Sequence, residues 1–135
     1  MTRLRSTLIL AMLTCLSWSA SSVAQEALVS LPTDRGYRLQ IYSQVTPLEI
    51  NRIHSWELSL TDSDGVTVTD VTIQISGGMP EHDHGMPTLP RVTQTLANGR
   101  LLLQGVRFHM PGFWELIFDI QTPTGADRAK FEFTL

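Results

Sequence analysis

Apolar and polar residues alternate with a period of two along most of the chain beyond residue 36, the mark of strands with one buried and one solvated face. Tyr37, Leu39 and Ile41 alternate with Arg38, Gln40 and Tyr42. His54, Trp56, Leu58 and Leu60 share one parity, and Ser55, Glu57 and Ser59 take the other. Val71, Ile73 and Ile75 form a third run, and a further strand begins near Arg91. Trp114, Leu116, Phe118 and Ile120 make the longest apolar face, and Phe131, Phe133 and Leu135 end the chain. Turn residues punctuate these runs at Asp62-Ser63-Asp64-Gly65, Asn98-Gly99 and Pro123-Thr124-Gly125. No segment sustains a helical period. The pattern predicts an all-β domain, an antiparallel immunoglobulin-like β-sandwich of about seven strands. A small closed barrel shares the same periodicity. Inward parity places Trp56, Leu58, Ile73, Trp114, Leu116 and Phe118 in the core.

The first 24 residues have a different character. Arg3 and Arg5 precede the apolar run Leu8–Leu16, and Ser22-Val23-Ala24 supplies a small-x-small cleavage site. Serines at 6, 17, 19, 21 and 22 leave the run too short for the ~20 apolar residues that a transmembrane helix needs. The expected organisation is therefore a secretory signal at 1–24 cleaved after Ala24, an N-terminal extension at 25–36, and one β-domain at 37–135. An uncleaved membrane anchor is the weaker alternative. Export to the periplasm follows, with no stable membrane span after cleavage. Of 135 residues, 10 are basic and 13 acidic; losing Arg3 and Arg5 leaves 8 basic residues and a net charge of −5. That balance argues against a nucleic-acid partner, whose phosphates need a basic face. The single cysteine, Cys15, leaves with the leader, so thiol chemistry, disulfides and cysteine zinc sites are excluded from the domain.

One connecting segment is richer in chemistry than a loop needs to be. Residues 76–90 hold three prolines, three glycines, two of the four histidines and two of the three methionines beyond the leader. Pro and Gly fix its backbone. His82, His84 and Met86 are spaced two apart, so an extended backbone would turn all three to one side; Met79 stands just before them. A second break, Phe108-His109-Met110-Pro111-Gly112, adds another imidazole and thioether. Imidazole and thioether suit a soft or borderline metal, and copper fits best. The candidate ligands are His82, His84, Met86, Met79, His109 and Met110, drawn from two breaks expected to meet in space. Glu81 and Asp83 suit zinc or Cu(II) about as well, which leaves the oxidation state open. The plain alternative is solvated polar sequence, which commonly produces short motifs of this kind. His54 shares the inward parity of Trp56 and is expected in the core.

Three stretches together, His54-Ser55-Trp56-Glu57-Leu58, Gly77–Thr88 and Gly105–Leu116, resemble the YtkA-like/FixH-like family of small exported bacterial domains. The resemblance covers most of residues 37–135. It implies an immunoglobulin-like sandwich in the periplasm and an association with copper handling or oxidase maturation. No Gly-x-Ser-x-Gly elbow, His-Glu-x-x-His motif or phosphate loop is present, so no catalytic residue is expected. The reading is a periplasmic copper-binding accessory or chaperone-type protein, not an enzyme, partnered by a metal ion and a periplasmic or membrane protein. The alternative is a non-metal interaction or assembly module that presents the Pro-rich 76–90 loop to a protein partner; a metalloenzyme ranks last.

Overall fold

The computed structural model describes residues 25–135; the expected secretory signal, residues 1–24, lies outside the described residues. The domain is all-β and antiparallel. Its nine strands are β1 (Val29–Pro32), β2 (Arg38–Ser43), β3 (His54–Thr61), β4 (Thr72–Met79), β5 (His84–Gly85), β6 (Arg91–Thr95), β7 (Leu101–Val106), β8 (Phe113–Thr122) and β9 (Gly125–Thr134). The count exceeds the expected seven because two short strands lie where alternation is too brief to register. One is β1, inside the segment read as an N-terminal extension. It pairs with β2 from Val29–Ile41 to Pro32–Arg38 and buries Leu31, so the domain begins before residue 37. The other is β5, inside the segment read as a loop.

The strands follow one hydrogen-bonded path, β1-β2-β3-β7-β6-β4-β8-β9, with β5 added to β4. Pairing strength along that path is uneven. The β8–β9 hairpin is in register over ten residue pairs from Phe113–Thr134 to Thr122–Gly125, and β4 pairs with β8 from Thr72–Gln121 to Gly78–Glu115. Between β4 and β6, by contrast, the only register pair is Gln74–Arg91. The path curls until its ends approach: the Asp34 amide donates to the Arg128 carbonyl at 3.0 Å and the Arg35 amide to Asp127 Oδ1 at 3.0 Å. The result is one curled sheet that forms a nearly closed barrel.

Period-two burial runs cleanly through β3 and β8, where inward residues are buried and their neighbours are not. All six expected core residues are buried, none more than 4% exposed. Tyr42 takes the polar face as its parity requires, yet it too is covered, because the Arg100 guanidinium lies 3.4 Å above its ring and is held there by Glu57 at 3.0 Å. At one end of the core, aromatic rings crowd together. Phe108 sits 5.1 Å from Trp114, 5.2 Å from Phe133 and 6.0 Å from Trp56.

His54 joins that cluster, 5.8 Å from Trp56 and 6.0 Å from Phe108, with Nδ1 against the Arg52 carbonyl at 3.1 Å and Nε2 buried without a partner. Burial lowers its pKa below the ordinary 6.5, only partly opposed by the Arg52 carbonyl contact. The folded state therefore takes up the His54 proton less readily than the unfolded chain. Stability is full above about pH 6.5 and falls as the pH drops from there through the lowered folded value. Denaturant melts between pH 7.5 and 5 are expected to show this fall, and His54→Gln is expected to flatten it.

Candidate metal centre

The two nominated breaks meet at the aromatic end of the domain. The first is a tight hairpin instead of an extended loop. Strand β4 runs through Met79, and a 3-10 turn over Pro80–His82 reverses the chain with proline in its first turn. Asp83 then adopts the left-handed conformation (φ 53°, ψ 34°), which aspartate tolerates better than most residues. Strand β5 returns with His84 opposite Met79 and Gly85 opposite Gly78, and the Met86 amide donates to the Gly77 carbonyl at 3.1 Å.

Two glycines make this hairpin possible. A β-carbon on Gly77 would run into the Glu115 carbonyl and Leu116 of β8, and Gly77 also holds φ at +149°. A β-carbon on Gly78 would strike the His84 carbonyl and come within 2.8 Å of the Gly85 Cα. The backbone of β4 is thus pressed against β8 on one side and β5 on the other, an approach that only Gly-Gly allows.

This geometry corrects one expectation. The backbone from His82 to Met86 is not one extended run, because the 3-10 turn and the left-handed Asp83 lie between His82 and His84; the turn still leaves those two rings 6.5 Å apart. His84 shares a face with its cross-strand partner Met79.

The second break is anchored from below. The Trp114 indole, fully buried, donates from Nε1 to the Met110 carbonyl at 3.1 Å. Gly112 exchanges backbone hydrogen bonds with Leu135 at 2.9 and 3.0 Å. Between these ties His109 stands half-buried, its ring edge-to-face with Trp114 at 5.6 Å.

So placed, His109 faces the hairpin. Its ring centre lies 6.1 Å from that of His84, the planes at 80°, and His82 lies 6.5 Å beyond His84 at 27°. Three imidazoles from two segments thus form a row with His84 in the middle. His82 and His84 are exposed, and the His109 Nδ1 is buried without a hydrogen-bond partner. The thioethers lie inward of this row. Met79 is only 1% exposed, and Met86 and Met110 pack partly buried against the core. The end of Met79 points at the second break, its ε-methyl 2.7 Å from where a Gly112 β-carbon would stand.

Carboxylates contribute little. Glu115, opposite Gly78, is bound by Lys130 at 2.7 Å, and this hydrogen bond raises the lysine's pKa. Among the described residues no three His, Cys, Asp or Glu side chains gather closely enough to hold a metal ion between them. Nitrogen and carboxylate donors therefore supply at most a pair at any one point of the row. A further donor has to be a thioether, or His82 has to swing inward on its turn.

Sequence reading located every one of these candidates but missed what fixes them. The Trp114–Met110 tie and the Gly77-Gly78 squeeze were invisible to parity. The available signal was a Gly-Gly pair inside an otherwise regular strand, which commonly marks a close backbone approach. Comparisons of the chain with family models, curated proteins and solved structures find no match.

Proposed function

We propose that the domain is a periplasmic metal-binding accessory or chaperone-type protein, most consistent with copper, and not an enzyme. One observation carries this reading. His84 on the β4–β5 hairpin and His109 on the 108–112 break come from segments distant in sequence and bring their rings to 6.1 Å. Solvation alone does not bring histidines from two distant segments together, and the His109 Nδ1 has no hydrogen-bond partner. A first-row metal such as copper takes imidazole nitrogens and, when reduced, thioethers. The resemblance to YtkA-like/FixH-like domains, the leader pattern ahead of Gln25 and the cysteine-free domain agree with export and with copper handling. The two strongly paired groups of strands, β1-β2-β3-β7-β6 and β4-β8-β9, support treating the curled sheet as two layers of an immunoglobulin-like sandwich.

Titration of the purified domain with Cu(I), Cu(II) and Zn(II) under chelator competition tests the reading. One copper per chain, displaced by acid as imidazoles protonate, is expected. Copper no tighter than an unrelated surface histidine pair would refute it.

A second reading has its own support. Beside the weak β4–β6 seam lies an open hollow of about 370 Å³ lined by Ile73, Ile75, Pro90 and Val92, with Leu89 79% exposed at its rim. If copper fails to bind, presentation of the 76–90 segment to a protein partner becomes the preferred account.

A further inference from the structure

We infer that Met79 is the buried soft ligand of this centre and that its thioether makes the site selective for Cu(I). The inference rests on the metal-binding reading above and adds which donor completes the site and which oxidation state it selects.

Three observations converge on Met79. First, the row of imidazoles is incomplete, since no third nitrogen, carboxylate or thiolate donor stands close enough to close a site. Two imidazoles form only a weak chelate, and the remaining donors in reach are methionines. Second, β-ladder register sets Met79 directly opposite His84, so their side chains leave the same face of the hairpin. Third, the far end of Met79 reaches the other ligand segment. Its ε-methyl presses on Gly112, three residues after His109, in the space a β-carbon would fill. Met79 therefore spans the two segments that carry His84 and His109. Met86 packs partly buried against the core. Met110 lies beside His109, with its carbonyl held by Trp114.

The burial of Met79 matters to the chemistry. A thioether is a neutral, soft and weakly basic donor with little affinity for Zn(II) or Cu(II), whereas Cu(I) accepts it in low coordination numbers. Two imidazoles at the rim with one thioether beneath them make a three-coordinate set with no charge. Because its thioether reaches into the apolar interior, such a set favours the monovalent ion; a divalent ion would bring more uncompensated charge against that interior. Gly112 belongs to the same device. Any side chain there would push the thioether off its position.

Met79→Leu, which keeps most of the buried volume, is expected to lower Cu(I) affinity at least tenfold in competition with a chromophoric Cu(I) chelator. Cu(II) affinity should stay within about threefold, because imidazoles dominate that binding. His84→Ala should weaken both. Gly112→Ala keeps every ligand residue but displaces the Met79 thioether, and should reproduce the Cu(I)-specific loss. Unchanged Cu(I) binding in folded Met79→Leu overturns the inference and leaves the metal-binding reading intact. Failure of the unaltered protein to bind copper overturns the reading itself. Should both variants fail to fold, X-ray absorption of Cu(I)-loaded Cys15→Ser protein that also carries Met86→Leu and Met110→Leu decides, since Met79 is then the only sulfur beyond the leader. A sulfur neighbour at copper is expected, and its absence rules out Met79.

Discussion

Replacing Trp114 by alanine is expected to cost the domain about 3–5 kcal/mol of stability, the usual range for truncating a fully buried aromatic. The indole is 0% exposed on β8 and packs edge-to-face with Phe108 at 5.1 Å. Removing it opens a cavity beneath the 108–112 break and leaves the Met110 carbonyl without its donor. A loss of this size is a large share of the ~5–15 kcal/mol that holds a typical domain folded. Trp114→Phe separates the contributions. It keeps an aromatic ring but drops the Nε1 hydrogen bond, itself worth about 0.5–1.5 kcal/mol. Leu89→Ala, at a 79% exposed position, is the control and should change stability by no more than about 0.5 kcal/mol. Chemical denaturation of the three variants checks the order. A Trp114→Ala effect as small as that of Leu89→Ala would mean that β8 does not form the centre of the core.

The second large effect is on binding. His109→Ala is expected to weaken copper by more than the roughly 10–100-fold that follows loss of an outer-shell partner, because the imidazole is proposed as a ligand itself. Stability should move little or rise, since the substitution removes a half-buried ring whose Nδ1 has no partner. Lost binding with retained stability distinguishes a ligand from a structural histidine. His54 offers the contrast: it sits in the core at 7% exposure with Nδ1 on the Arg52 carbonyl, so its removal should disturb stability and its pH dependence and leave copper affinity largely unchanged.

Much of the fold could be read before any coordinates, and the reason is physical. Where a strand has one wet and one dry face, side-chain period and burial period coincide, as in β3 and β8, and parity alone names Trp56, Leu58, Trp114, Leu116 and Phe118 as core. The signal fails where a strand is too short to alternate twice. Val29–Pro32 reads as a tail because only Leu31 is buried, and His84–Gly85 reads as loop because two residues have no period. Parity also says nothing about how strands are ordered, so a sandwich of two sheets and a nearly closed barrel looked alike. They differ in the single Gln74–Arg91 pair that joins β4 to β6 and in the approach of Asp34 to Arg128.

The centre was legible in part for a related reason. Residue chemistry singled out His82, His84 and His109, and the turn-rich composition marked both breaks. Spacing grouped His82 with His84 for a reason that does not hold, because Asp83 at φ 53° ends the extended backbone between them; a turn brings their rings to 6.5 Å instead. The methionines were nominated for their sulfur alone. Their burial follows from strand register and from the space left at Gly112, which no local pattern encodes.

The central claim is that His84 and His109, carried on two separate segments, hold one metal ion together. A double-mutant cycle on copper affinity with His84→Ala, His109→Ala and the double variant addresses it most directly. If the two imidazoles share one ion, each single variant loses most of the binding and the double variant loses little more, which gives a large coupling term. If each variant instead lowers affinity independently and the losses add, the two histidines do not share an ion, and the centre proposed here does not exist.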